Sequence, residues 1–574
     1  MLKKILLIGL GVVTLGGTGL YLYFKGSNNH LALVPKDAVA VFSIHFKSLF
    51  DKLDINGEFK NTELSKMMNK NLEKENFKPH EKKIFEQLKK DPMSCGINLL
   101  SPMYVYVVAD KVSNYSAAVI DIKDLDKFNE FIKQFPELTI NNYIDYKTTI
   151  ISHNLALIWN KNGLVAMDKY TFEREISDAK EVILIPSKDN IKQNTNFKHF
   201  EDDKDINFFV NYKQLLKLPQ LNSAMDQIES LFNKNDETVM VGGLDFKDND
   251  IEMEMEVKYP NSSMKETMNI YKDNGISDEA INLMTSDKLI AGISMNIDLF
   301  KIKNLLKTMD ANIYDQIEKT LKEKGLSMDE LVKSFSGEMT FALNGFESKQ
   351  VKTMSYEYNE SMEDYEIVEV DRTQNIPKFN VSLGVKDKNT LAKIMKLLPF
   401  QKNGNVYNLN LPKMNSNIVE TNYGVTFTSD SLFAQQLATK VKYSNKIESN
   451  IKEKFKNSSV YLYFDIASSD LSNYMKTTTQ GIEEIKFETV ISPVLKTYKY
   501  IEVSQKDNKS TFNIYLYEGK GNSLLKIIKS FDQAIIEENK KMEESKKEYE
   551  SRMNQERLLE EIPQIEEEAT EIPN

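Results

Sequence analysis

Two hydrophobic periodicities alternate along this chain, and the order in which they alternate occurs twice. Residues 39–46 switch between apolar and polar positions and are rich in β-formers, which predicts a strand. Ile84, Phe85 and Leu88 stand at helical spacing within 81–90, predicting a helix that stops before Asp91-Pro92. Residues 103–108 and 115–122 read as a hairpin across a polar turn at 110–114. Asp124 is placed as an N-cap, with Leu125, Phe128, Phe131, Ile132 and Phe135 on one helix face. Another strand is predicted at 206–212, and 240–246 with 251–257 close the set as a hairpin turned by Lys247-Asp248-Asn249-Asp250.

Asp37-Ala38-Val39-Ala40-Val41-Phe42-Ser43-Ile44 is answered by Asp287-Lys288-Leu289-Ile290-Ala291-Gly292-Ile293-Ser294. Ile120-Asp121-Ile122-Lys123-Asp124 is answered by Leu383-Gly384-Val385-Lys386-Asp387, and Gly163-Leu164-Val165-Ala166-Met167 by Gly424-Val425-Thr426-Phe427-Thr428. Phe246-Lys247-Asp248-Asn249 is answered by Gln505-Lys506-Asp507-Asn508. The matches keep their order at an offset of roughly 250–265 residues, the mark of a tandem duplication. Alternating strands joined by short turns imply antiparallel sheet. The expected fold is α+β: two tandem repeats of a mostly antiparallel sheet with helices on one face, an N-terminal transmembrane helix and a charged C-terminal helix. The expected division is 1–30 anchor or signal, 31–262 first repeat, 263–522 second repeat, and 523–574 C-terminal helix and acidic tail.

The first 30 residues change the picture most. Met1-Leu2-Lys3-Lys4 precedes uncharged residues 5–24, long enough to span a hydrocarbon core as a helix. Tyr21 and Tyr23 stand where an interfacial aromatic belt would be, and Lys3 and Lys4 favour a cytoplasmic N-terminus. A single-pass, membrane-anchored chain with its bulk in the periplasm or otherwise outside the cytoplasm is the expectation, a cleaved signal the alternative.

Two segments break the repeat. Residues 347–376 lengthen the second-half counterpart of the 110–114 turn, with strand-like flanks and a polar middle. They predict a projecting β-arm, or else an acidic loop. Tyr356, Tyr358, Tyr365 and Glu366 are its candidate partner-binding residues. Near the C-terminus, Leu525, Ile528, Phe531 and Ile535 predict a packed helical stretch. From 537 the chain becomes charged, with Glu537–Lys541, Glu543–Lys547 and Glu548–Arg552 at i,i+4. Tyr549 and Met553 lie on its sparse apolar seam and complete the candidate contacts. The acidic end, with Glu-Ile-Pro twice, reads as a solubilising tail or a tethered peptide.

Net charge is −11, which disfavours nucleic acid as a partner. One cysteine, Cys95, excludes an intrachain disulfide and reads as a buried thiol. The five histidines show no zinc spacing, and His45 is expected to face solvent from a strand. No nucleophile elbow, phosphate loop or dinucleotide fingerprint is present, so no catalytic residue, metal ligand or cofactor is assigned. Asp248-Asn249-Asp250 is read as a hairpin turn rather than a calcium loop, and Trp159 as strand core.

Pro35-Lys36-Asp37-Ala38-Val39-Ala40-Val41, and Asp91-Pro92 through Cys95-Gly96-Ile97-Asn98 to Ser101-Pro102-Met103-Tyr104, resemble a family of uncharacterised bacterial envelope proteins. That family is known as a domain of unknown function with two weakly similar halves, and the resemblance covers roughly residues 31–520. It implies an envelope setting and an envelope protein partner, and says nothing of activity. Its frequent lipid-bearing cysteine is absent after the apolar run. The functional expectation is a membrane-anchored extracytoplasmic binding or scaffold protein rather than an enzyme. A carrier of a hydrophobic ligand is the alternative, and a hydrolase the third reading.

Overall fold

In a computed structural model, residues 29–560 are described, apart from 55–56, 75–78, 110–113, 153–154, 169–189, 219–236, 286, 360–363, 398–400, 412–413, 441–445, 479–491 and 520. The first ten strands are β1 (Ala40–Ile44), β2 (Met103–Ala109), β3 (Asn114–Ile120), β4 (Asn141–Asn142), β5 (Lys147–Ser152), β6 (Leu155–Asn160), β7 (Gly163–Asp168), β8 (Ile206–Asn211), β9 (Val239–Phe246) and β10 (Asp250–Lys258). The rest are β11 (Ala291–Asn296), β12 (Phe335–Asn359), β13 (Asp364–Val385), β14 (Gln401–Asn403), β15 (Val406–Leu411), β16 (Met414–Glu420), β17 (Gly424–Thr428), β18 (Val460–Phe464), β19 (Tyr498–Lys506) and β20 (Lys509–Leu516).

Every ladder among these strands is antiparallel. The first set lies side by side as β4-β5-β6-β7-β3-β2-β1-β8-β9-β10. The second follows the same path, β14-β15-β16-β17-β13-β12-β11-β18-β19-β20. The sets meet edge to edge, β10 against β20, from Asp250↔Tyr515 to Glu256↔Lys509. Pairing also sets the true register between the halves. The amides of Val39 and Ile290 donate to the equivalent neighbours, Val107 O at 2.7 Å and Leu343 O at 2.9 Å. Ser43 therefore corresponds to Ser294, one residue away from the match of letters.

In the first half, both faces of the sheet are covered at β6. In β6, Ala156 and Ile158 join Val41, Tyr104 and Phe209 on one side. Leu157 and Trp159 join Phe128 and Ile132 on the other. A strand buried on both sides loses its polar alternation, as Leu155-Ala156-Leu157-Ile158-Trp159 does. The helix Leu125–Lys133 covers the second side, and Asp124 caps it by accepting from Lys127 N at 3.0 Å. Such a cap contributes about 1 kcal/mol. Leu31, Leu33, Ile191 and Phe197, from three 3-10 turns, cover the first side.

The C-terminal helix, Ser523–Glu560, returns to the first half. Asn522 Nδ2 donates to Phe246 O at 2.6 Å, Lys526 Nζ to Asp248 O at 2.8 Å, and Leu525 packs with Phe59. Its inward positions are Leu525, Lys526, Ser530 and Ala534, while Phe531 turns to solvent. Along its charged part, among the described residues, the ion pair seen is Lys546–Glu550 at 4.0 Å rather than the pairs predicted from spacing.

One expectation does not stand. Residues 5–24 lie outside the described residues, and among the described residues no helix is long and apolar enough to cross a membrane. The described fold is α+β, and no described helix bears out the expected N-terminal transmembrane helix. The expectation of a single-pass, membrane-anchored extracytoplasmic protein, with membrane contact through 5–24 and an envelope partner, thus finds no support in any described helix. The tail from 561, with both Glu-Ile-Pro repeats, also lies outside the described residues.

A buried carboxylate locks helix to sheet near the seam. Glu502 on β19 accepts from Lys454 Nζ at 2.5 and 2.6 Å, from Tyr461 Oη at 2.7 Å and from Tyr515 Oη at 2.6 Å. Burial opposes its charge, but these donors outweigh burial and hold its pKa below the ordinary value. Burial and the neighbouring carboxylate push the Tyr461 and Tyr515 hydroxyls upward, so both stay donors. In the unfolded chain Glu502 protonates near 4.5. Above that pH its ionised form contributes fully to stability, and the contribution is lost as pH falls through the lower folded pKa. Urea unfolding midpoints are expected to stay level above pH about 5 and to decline below about 4.5. Glu502→Gln is expected to flatten that decline and to cost about 2 kcal/mol at neutral pH, read from the same titrations.

Candidate functional site

The segment 347–376 forms an arm because its two flanks alternate β-formers in matching register. β12 and β13 pair without interruption from Glu347↔Ile376 to Asn359↔Asp364. At about 3.3 Å per residue the arm extends roughly 40 Å. At its base the rings of Phe346 and Tyr474 stack at 4.2 Å. Ser348 Oγ donates to Asn375 Oδ1 at 2.6 Å, Gln350 Nε2 to Thr373 Oγ1 at 3.0 Å, and Lys352 Nζ to Glu369 Oε2 at 3.0 Å. These polar pairs hold the two strands to each other. β11 leaves β12 at Leu343 and β17 leaves β13 at Asn380, so beyond them both outer edges lack a partner strand among the described residues.

The distal part is apolar as well as open. Tyr356 pairs directly with Ile367, and Met354 stands two residues along on the same face. Met354 is 73% exposed, Tyr356 73% and Ile367 60%. Tyr358 pairs with Tyr365 and Glu357 with Glu366, so the four arm residues singled out in the sequence are brought together at one end. Met354 and Ile367 join them unannounced: alternation shows that two residues share a face, not that the face is open. Tyr549 and Met553, both exposed, belong to a separate element, the C-terminal helix.

Polar clusters within the body are closed by their own partners. Asp202 accepts from Ser43 Oγ, from His45 Nε2 at 2.8 Å, from Tyr104 Oη at 3.0 Å and from Asn207 Nδ2 at 3.2 Å. His45 is thus no solvent-facing strand residue: it follows β1, precedes the helix Phe46–Leu53, and has its ring held by a loop 157 residues away. Ser, His and Asp suggest a hydrolytic relay, but a relay places the imidazole between hydroxyl and carboxylate. Here hydroxyl and imidazole converge on the same carboxylate. Burial opposes the charge of Asp202, and the bonds from His45 and Ser43 overcome it and keep the pKa low. Nearby, the buried Asp205 accepts from Ser48 Oγ at 2.5 Å, Lys52 Nζ at 2.6 Å and Phe246 N at 2.7 Å. Both hubs are saturated, which suits structure more than catalysis. No sequence signal marks them, since each joins residues more than 150 positions apart.

A concavity of about 350 Å3 crosses the β10–β20 seam over Gly242 and Gly243. Its charges neutralise one another: Lys204–Glu254 at 3.6 Å, Lys258–Glu256 at 2.7 Å and Lys509–Glu256 at 3.7 Å. Burial and the adjacent Lys198 lower the pKa of His199 on its wall, which favours a neutral ring. Among the described residues no group of three or more His, Cys, Asp or Glu side chains is arranged to hold a metal. Cys95 is buried, and desolvation raises its thiol pKa, so it is an inert core group.

No curated protein and no solved structure matches this chain. A family model does, over residues 30–524, a span that takes in all twenty described strands and stops at the start of the C-terminal helix. The chain belongs to the family described as a domain of unknown function, DUF4836.

Proposed function

We propose that this chain is a polypeptide-binding protein whose contact surface is the β-arm. The observation that carries this reading is the exposure of Met354, Tyr356 and Ile367 on a two-stranded ribbon whose edges have no partner strand among the described residues. Exposed strand edges are ordinarily shortened, charged or covered, because they template further pairing. Here a long ribbon with an apolar face reaches beyond the body, which suits addition of a partner strand. The β13 side carries Asp364, Glu366, Glu369 and Asp371 against Arg372 alone, favouring a partner rich in lysine or arginine. Tyr358 and Tyr365 extend the same contact by register, and Glu366 stands on the opposite face of the ribbon. Tyr549 and Met553 offer a second contact on the C-terminal helix.

A photo-crosslinking residue at position 356 is expected to give a discrete protein adduct in cells, and one at Tyr143, exposed on the body, to give none. Met354→Lys/Tyr356→Lys/Ile367→Lys is expected to abolish the adduct while moving the melting temperature by less than about 2 °C, because these side chains bury little. Equal adducts at both positions, or an adduct that survives the triple variant, would sink the reading.

A further inference from the structure

The two halves close the same corner of the fold differently. In the first, Trp159 is fully buried, meets Phe128 edge-on at 5.6 Å and donates Nε1 to Asn129 Oδ1 at 3.0 Å. Strand register identifies its counterpart. Ile120 pairs with Leu164 and Leu164 with Trp159, as Leu383 pairs with Val425 and Val425 with Glu420. The helices agree: the amides of Phe128 and Leu391 donate to Asp124 O and Asp387 O at the start of their helices. Glu420 thus stands in place of Trp159, Leu391 of Phe128, Ala392 of Asn129 and Lys388 of Leu125. Replacing two aromatic rings by smaller groups opens a cavity of about 350 Å3, where the first half has an indole. That volume lies within the range of small-molecule sites.

The lining falls into three chemistries. Leu391 and Leu437 give an apolar wall. Glu420, held by Tyr407 Oη at 2.6 Å, offers a carboxylate, and Gln436 Oε1 is buried with no hydrogen-bond partner among the described residues. An amide oxygen buried without a partner is destabilising, and a donor from a ligand would relieve it. Lys388 and Lys440 are exposed where they line the cavity, and neither has an ion pair among the described residues. Acceptors within, cations at the mouth and an apolar wall call for a donor, an anion and an apolar body in one small molecule. We infer that this cavity binds an apolar α-amino acid as its zwitterion, ammonium toward Glu420 and Gln436, carboxylate toward Lys388 and Lys440. An aromatic side chain would occupy the space that Trp159 fills in the other half. The inference is independent of the arm.

Calorimetric titration of the full chain with L-phenylalanine tests it, beside 3-phenylpropionate, which lacks the ammonium, and phenylalaninamide, which lacks the carboxylate. Saturable binding of L-phenylalanine is expected, with each analogue weaker by about tenfold or more, the worth of one charge-assisted bond. Lys388→Glu/Lys440→Glu changes exposed side chains only and is expected to weaken L-phenylalanine by at least about tenfold with the melting temperature unchanged. Absence of saturable heat with L-phenylalanine, equal affinity for either analogue, or indifference to the double charge reversal overturns the assignment.

Discussion

The pairing of β10 with β20 is the constraint on which the rest of the structure depends. It is the one ladder between the two sets of ten strands among the described residues, seven register pairs long. Most of its side chains are only half-buried, so backbone hydrogen bonds and cross-strand polar contacts carry the join. Glu256 faces Lys509 at 3.7 Å, and Asn508 donates to Glu256 Oε1 at 3.0 Å and to Val257 O at 2.8 Å. At about 0.5–1.5 kcal/mol net for each hydrogen bond, the ladder amounts to several kcal/mol. Without it two long sheet edges would stand open. The segment 522–526 closes over the β9–β10 turn beside this join, so the end of the second half clasps the first.

Local signals were legible where the physics is local. The Asp248-Asn249 turn, the Asp124 cap and the face bearing Phe128 and Ile132 need only neighbours in sequence, and all three appear as read. The arm was legible as paired alternation, since a hairpin's register follows from its own composition. What escaped depends on distance. His45 looks like an outward strand residue until Asp202 is brought beside it. The equivalence of Ser43 with Ser294 is a matter of hydrogen-bond register, which letter matching missed by one position. Phe531 matched a helical stripe, but the helix presents Ala534 and Ser530 to the body instead. The apolar run at 5–24, read from its length, its tyrosines and its flanking lysines, lies outside the described residues, and no helix among those residues supports the membrane reading.

Between the halves, the sheet path is kept while its polar contents differ. Ser43 and Ser294 occupy equivalent buried positions, but the first bonds to Asp202, whereas beside the second Tyr461 turns to Glu502. The first half thus satisfies Ser43 through Asp202, whereas Ser294 Oγ is buried with no hydrogen-bond partner among the described residues and Glu502 serves Tyr461 instead. Apolar positions tolerate such divergence because volume and pattern suffice. The exchange of Trp159 for Glu420 follows the same logic, with space opened in one copy and filled in the other.

The arm's strands are the core strands themselves, 25 and 22 residues long, and leave the body through a register shift between Leu343 and Gly345. Beyond that shift the polar rungs Ser348–Asn375 and Gln350–Thr373 stiffen the ribbon. A sideways load at Tyr356 would act as torque on a cantilever anchored at Phe346 and Tyr474. A lengthwise pull would shear β12 along β11 and β13 along β17, straining many hydrogen bonds at once. The arm thus resists tension where a loop would stretch, and passes force straight into the central ladders around Thr340 and Ser382.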